Sequence, residues 1–447
     1  MRFRGLLIAA VVLAILAGGV YWSNKSEKAK ADKPAAGESP KLVSIPEDQV
    51  QQIEIKKTGG DDTILRKNGS GKWEMVSPKP LSVDQDAVTS MTSTLASLAS
   101  DRLVEDKTSD LNQYGLGLPG LTVDVKKKDG KTTELAIGDE TPTSGGFYAK
   151  LQGDPRIFTI ASYTKTSLDK SSNDLRDKRL LTFDSDKLVR LELNAKKQDI
   201  EFAKNNQNDW QILRPRPLRA DGGQVEDLIR KIKDAKMDLA GTEEDQKKAV
   251  AGFAKAAPLA EVKVTDAAGT QELTVRKDKD SNYYAKSSAV DGVYKIGKDL
   301  GDGLDKGLDD FRNKKLFDFG FNDPTKVEVR DASKLLAVQK SGDKWMSGGK
   351  EMTSSDVQAV IDKLRDLSAT KFADQGFAPP AVLEATVVSS DGKRTEKVLI
   401  SKKGTSYFAK RENEPAIYEL DGSAVEAIQN AVAGVKEAQP PKQQKKK

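Results

Sequence analysis

Apolar residues recur at helical spacing in three stretches of the chain. Val88, Met91, Leu95 and Leu98 form the first set. Val225, Leu228, Ile229, Ile232 and Ala235 form the second, and Val357, Val360, Ile361, Leu364 and Leu367 the third. Each stripe predicts one amphipathic helix that lays its apolar side on a core. Asp84, Asp221 and Ser354 stand just ahead as N-caps. A cofactor-binding stripe would show the same spacing, but core packing accounts for it with no further ingredient.

Around these helices the pattern shortens to alternating runs. Trp73, Trp210 and Trp345 follow the polar turns NGSGKW, NQNDW and SGDKW, and each turn follows an apolar stretch: TILRK, IEFAK or LLAVQK. That arrangement predicts a β-hairpin whose return strand carries tryptophan. Beyond each helix lie two more runs joined by polar turns: LTVDVKKKDGKTTELAI, AEVKVTDAAGTQELTV and ATVVSSDGKRTEKVLI. Their Asp-Gly and Ala-Gly turns are hairpin signals. Next come Phe147-Tyr148-Ala149-Lys150, Tyr283-Tyr284-Ala285-Lys286 and Tyr407-Phe408-Ala409-Lys410. Ten residues after Tyr148, Tyr284 and Phe408 stands a further aromatic: Phe158, Tyr294 or Tyr418. A second helical segment then ends in LRDKRLLTF (175–183) and FRNKKLFDF (311–319).

The chain therefore reads as three copies of one unit. The fold class expected is α+β: three tandem homologous domains, each a mostly antiparallel sheet with two helices, after an N-terminal transmembrane helix. Each copy is long enough to hold its own core. The boundaries read are 42–179, 180–315 and 316–437. Linkers between copies are nearly absent, which predicts a semi-rigid row.

Residues 5–22 break the pattern with an uncharged apolar run, GLLIAAVVLAILAGGVYW, after Arg2 and Arg4. Eighteen residues at about 1.5 Å each span roughly 27 Å, enough for a thin bilayer. Tyr21 and Trp22 fall where interfacial aromatics belong. Residues 1–24 are read as a transmembrane anchor or signal segment. A cleaved signal peptide with a site at Ala17-Gly18-Gly19 is the competing reading. The basic start places the body outside the cytoplasm, on the periplasmic side of an inner membrane; Lys25, Lys28, Lys30 and Lys33 oppose that orientation. Residues 25–41 form a polar linker, and 438–447 a disordered basic tail.

Composition removes most chemistry. None of the 447 residues is cysteine or histidine. Disulfides, lipidation at cysteine, His/Cys metal sites and His-dependent triads are excluded. The net charge is +5. The first forty residues carry +3 and the last nine +4, so the body 41–438 carries −2. No basic stripe suited to nucleic acid is present.

The repeat serves as an internal control on motifs. Gly130-Lys131-Thr132 resembles the end of a phosphate loop, but Val125 stands where the upstream glycine belongs, and the segment is a hairpin. Asp278, Asp280 and Asn282 resemble the start of a calcium loop, but Tyr283 and Ala289 replace the required glycine and glutamate. Gly301-Asp302-Gly303-Leu304-Asp305 aligns with TSLDK (166–170) and is read as a weak helix start. Ser162…Lys165 and Ser167…Lys170 have nucleophile–base spacing; capped helix and solvated lysine is the plainer reading. No catalytic, cofactor-binding or metal-binding residue is nominated. Trp73, Trp210, Trp345, Tyr148, Tyr284 and Phe408 are the markers of the repeat, and a ligand-stacking role for the tryptophans is set below a packing one.

The pattern resembles the bacterial "domain of unknown function 4340" proteins. The features that carry the resemblance are the apolar N-terminal run, IPEDQVQQIEI (45–55), GKWEMVSP (71–78), DLNQYGLGLP (110–119), ELAIGDETP (134–142), FYAK and LRDKRLL (175–181). The second and third copies have GFAKAAP (252–258) and GFAPP (376–380) in place of YGLGLP. The resemblance implies a membrane-anchored extracytoplasmic protein associated with an ABC-type transporter, with no activity or site residues to carry over. The expected function is a non-catalytic scaffold or interaction subunit of an envelope complex, held to the membrane by its N-terminal helix, with other envelope proteins as partners and no nucleic acid. No cofactor is expected. The alternatives are an envelope hydrolase using carboxylates or a Ser–Lys pair, and a ligand-binding module.

Overall fold

In the computed structural model, residues 41–142, 145–240, 243–320, 324–331 and 334–439 are described. The expected membrane segment with Tyr21 and Trp22, and the basic tail from Pro440 onward, lie outside these residues. No helix among the described residues is long and apolar enough to cross a membrane.

Three antiparallel sheets follow one another along the chain. In space the first runs Leu81–Ser82, Trp73–Ser77, Thr63–Lys67, Val50–Lys57, Leu121–Lys127, Thr132–Glu140, Gly146–Leu151, Ile157–Ala161 and Arg102–Glu105. The third has the same nine-strand order, and the second has it without the last edge strand. The tryptophan strands pair in register: Lys67 opposes Trp73, Lys204 opposes Trp210 and Lys340 opposes Trp345. Alternation along the strands sends Ile53, Ile55, Val123, Val125, Leu135 and Ile137 to one face, and all are essentially solvent-free.

The predicted helices Gln85–Ala96, Gly222–Lys233 and Ser354–Asp366 cover that face. Their stripes are buried as expected, including Val88, Leu228 and Ile361. Asp84 accepts hydrogen bonds from the N–H groups of Asp86 and Ala87, and Asp221 from Gln224, as N-caps do. The third cap differs from expectation. Thr353 occupies that position without a side-chain bond, and Ser354 is already helical.

Other expectations need correction. Each sheet was expected to carry two helices. Among the described residues, the first carries Gln85–Ala96, Ser162–Leu168 and the single turn Ser172–Leu175; the second carries four helices and the third two. The helical segments also stop earlier than read, at Leu175 and Phe311. The residues beyond are extended because they close one copy and open the next. Asp84 N–H bonds the Leu175 carbonyl, and Asp177 N–H the Ser82 carbonyl. Asp221 with Phe311, and Asn313 with Arg219, repeat this latch, as do Thr353 with Lys436 and Ala438 with Glu351. Each copy opens alike: the N–H of Leu42, Leu180 and Leu316 bonds the carbonyl of Leu98, Ala235 and Leu367. Gly301 to Asp305 is the end of the helix Lys298–Leu304, not its start. A Cβ on Gly301 would strike the Tyr283 ring, so glycine there lets helix and strand approach.

The chain divides into two compact units, one ending at Lys178 and the other beginning at Arg179. The second and third sheets thus belong to one unit.

Candidate functional site

Chemistry-bearing side chains collect most densely within the second unit, where Arg219 of the second sheet's edge meets the third sheet. Its guanidinium reaches Asp318 Oδ2 at 2.5 Å, Glu414 Oε1 at 3.1 Å, the Lys315 carbonyl at 2.5 Å and Tyr418 Oη at 3.2 Å. Arg411 donates to the Leu316 carbonyl at 2.6 Å and pairs with Glu396 at 3.1 Å and Glu414 at 2.8 Å. Glu396 in turn accepts the Asp318 N–H at 3.0 Å. Asn313 Nδ2 donates to Asp318 Oδ1, and Tyr418 Oη to Glu414 Oε2.

Desolvation works against the Arg219 charge, but Asp318, Tyr418 and Glu414 outweigh it and hold the guanidinium protonated well above its ordinary range. Burial is likewise the main reason Tyr418 is pushed up, so its phenol stays neutral and able to donate.

Strand register shows how the sequence builds this joint. Thr133, Gln271 and Glu396 are equivalent, as are Leu151, Ser287 and Arg411. In the second sheet, Gln271 Oε1 accepts the Thr182 N–H and the Ser287 hydroxyl reaches the Leu180 carbonyl. In the third, Glu396 and Arg411 make the same two contacts with the incoming segment. A tie that is neutral in the second copy is charged in the third, and Arg219 docks on it. Nothing in a single copy of the sequence marks these residues, which come together from positions up to 199 apart.

The expected repeat markers are placed as follows. Trp73, Trp210 and Trp345 are 7%, 6% and 6% exposed. Lys67 and Lys204 cover the first two rings at 5.0 and 5.2 Å. Tyr148, Tyr284 and Phe408 point away from the helix-covered face, while Ala149, Ala285 and Ala409 beside them are fully buried in the cores. Each outward aromatic lies under the segment that links the first helix to the next strands. Tyr114 meets Tyr148 edge-on at 4.9 Å. Gly252 lies on the Tyr284 ring and Gly376 on the Phe408 ring, each so close that a Cβ would fall 2.5 Å from a ring carbon. YGLGLP, GFAKAAP and GFAPP are therefore three versions of one strap. In the first, Gly115 and Gly138 pack so closely that neither tolerates a side chain. The second strap contains a helix absent from the sequence reading, Glu243–Lys255; its Ala249 and Phe253, with Ala256 just past its end, pack with Tyr284.

The screened motifs are occupied structurally. Gly130 sits in a hairpin turn at φ 82°. Asp278 accepts from the N–H groups of Asp280 and Asn282, from Asn282 Nδ2 and from Tyr284 Oη. Lys165 is bound to Asp169 at 2.6 Å and lies over Phe147, and the Ser167 hydroxyl donates to the Tyr163 carbonyl. Among the described residues no group of three or more carboxylates is placed to hold a metal.

The model of the family described as "Domain of unknown function (DUF4340)" matches residues 73–214 and 210–386. The matches span well over half of the chain, and the chain belongs to that family. Both begin at a marker tryptophan. Each therefore runs from the tryptophan strand of one sheet into the next sheet, out of phase with the sheets themselves. No curated protein and no solved structure matches the chain.

Proposed function

We propose that this protein is a non-catalytic interaction subunit, or scaffold, of a cell-envelope complex. In this reading the apolar residues 5–22 anchor it and the three-sheet body stands on the extracytoplasmic side. The observation that carries the reading is the fate of the reactive groups. Where arginines, carboxylates and a tyrosine gather most closely, they neutralise one another and tie backbone segments of two sheets together. A catalytic acid or base needs a group poised to exchange its proton with a substrate; Arg219 and Tyr418 are instead driven further from titration near neutral pH. The partner class that the family resemblance implies is an ABC-type transporter.

The hydrolase reading can be separated from this one. A serine-reactive probe that labels the intact protein, and no longer labels a Ser162→Ala/Ser167→Ala variant, would replace the scaffold by a Ser–Lys enzyme. The scaffold reading expects no labelling at either serine.

A further inference from the structure

Beside the Arg219 joint, within the second unit, a cleft of about 530 Å³ opens over Trp210. That volume lies in the usual range for a small-molecule site. The first sheet has a side chain that closes the corresponding place. There, Gln85 accepts the Trp73 N–H at 2.9 Å and donates to the Trp73 carbonyl at 2.9 Å. The equivalent residue in the second copy is Gly222, one position after the N-cap in both helices. A Cβ built on Gly222 meets nothing within 4 Å. The space that Gln85 fills in one copy is thus open in the other.

The groups around that space define what it would take. Gln207, Asn208, Gln211 and Glu226 line the cleft and make no side-chain hydrogen bond among the described residues. Trp210 lines it too; its ring is buried and its indole N–H has no acceptor. The lining carries Arg219 and Arg394 against Asp209, Glu226, Asp318 and Glu414, so its charge balance repels anions. Lys204 covers the Trp210 ring, which leaves no open aromatic face for a base or planar ring to stack on. Carboxamides offer donor and acceptor together, which matches hydroxyl groups that do the same.

We infer that this cleft binds an uncharged, polyhydroxylated ligand, a short glycan. The inference stands apart from the scaffold reading, since an interaction subunit with or without a glycan site would crosslink to the same partner.

The test is calorimetric titration of the full-length protein with chitotriose, maltotriose and cellotriose, repeated on Gly222→Gln. That substitution restores the side chain found at Gln85 and enters empty space, so the variant should keep the parent melting temperature. Binding of at least one trisaccharide, weakened about tenfold or more by Gly222→Gln, is the expected result; tenfold corresponds to about 1.4 kcal/mol. A Gln211→Ala/Glu226→Ala variant should weaken the same titration. Three outcomes would each overturn the inference: no heat from any of the three sugars, equal binding by parent and Gly222→Gln, or binding of a lysine-rich peptide in place of the sugars.

Discussion

Arg219 ties the edge of the second sheet to the third, because one planar fork serves two carboxylates, a carbonyl and a phenol. Replacing it by alanine leaves Asp318 and Glu414 short of a partner at a largely buried site. Arg411 still pairs with both carboxylates, so a loss of about 1.5–3 kcal/mol, the range for hydrogen bonds to charged groups, is expected. Calorimetry should show the second unit's transition fall and broaden, or separate into two. Arg219→Lys keeps the charge but not the fork and should recover only part of the loss. Asp169 makes a different prediction. Burial alone would raise its pKa, but Lys165 and Lys57 outweigh burial and hold it below the ordinary aspartate value. A carboxyl depressed in the fold contributes stability above its unfolded pKa and loses it as pH falls through the folded one. The first unit's melting temperature should therefore drop below about pH 4, and Asp169→Asn should flatten that limb. The sequence hid the Arg219 joint and the Lys57–Asp169 pair for one reason, whereas Lys165–Asp169 has ordinary i,i+4 spacing. Among 68 acidic and 73 basic residues, pairing is decided by topology, and no spacing rule reaches from Arg219 to Glu414.

Elements with a strong period were legible. The three helical stripes and the tryptophan hairpins could be read because burial on one face imposes a 3.6- or 2-residue rhythm. Edge strands Arg102–Glu105 and Ala369–Ala373 were missed, being too short and too exposed to show a period. The helix Glu243–Lys255 did leave a signal in Ala249 and Phe253, four residues apart, but the segment was read only as the second copy's counterpart of YGLGLP. The glycines of those straps are packing devices, and so is Gly301 in the helix Lys298–Leu304. At Gly301, alanine would place a methyl group against the Tyr283 ring, and overpacking of this kind costs about 1–3 kcal/mol. Urea titration should show that loss for Gly301→Ala. Tyr283→Phe, which removes the 2.9 Å bond to Asp302, should cost about 0.5–1.5 kcal/mol. Gly222→Ala, with open space around it, should show no loss, which makes it the control.

For the whole molecule, the absence of cysteine and histidine takes on a constructive meaning. Three cores of similar make-up, each closed by the same backbone latch, hold the described chain with no disulfide and no His or Cys to ligate a metal. Melting temperatures should be unchanged by reducing agent or chelator. The net positive charge resides at the two ends, and the body carries both signs interspersed, as a soluble surface does. Placement of that body outside the cytoplasm can be checked with a periplasmic reporter fused after Lys41, which should be active. The most direct test of the scaffold account is crosslinking in native membranes followed by mass spectrometry of the purified protein. Crosslinks from residues 41–439 to a membrane-transport or other envelope protein are the predicted result. Recovery of the monomer alone, under conditions that crosslink a known envelope complex, would contradict it.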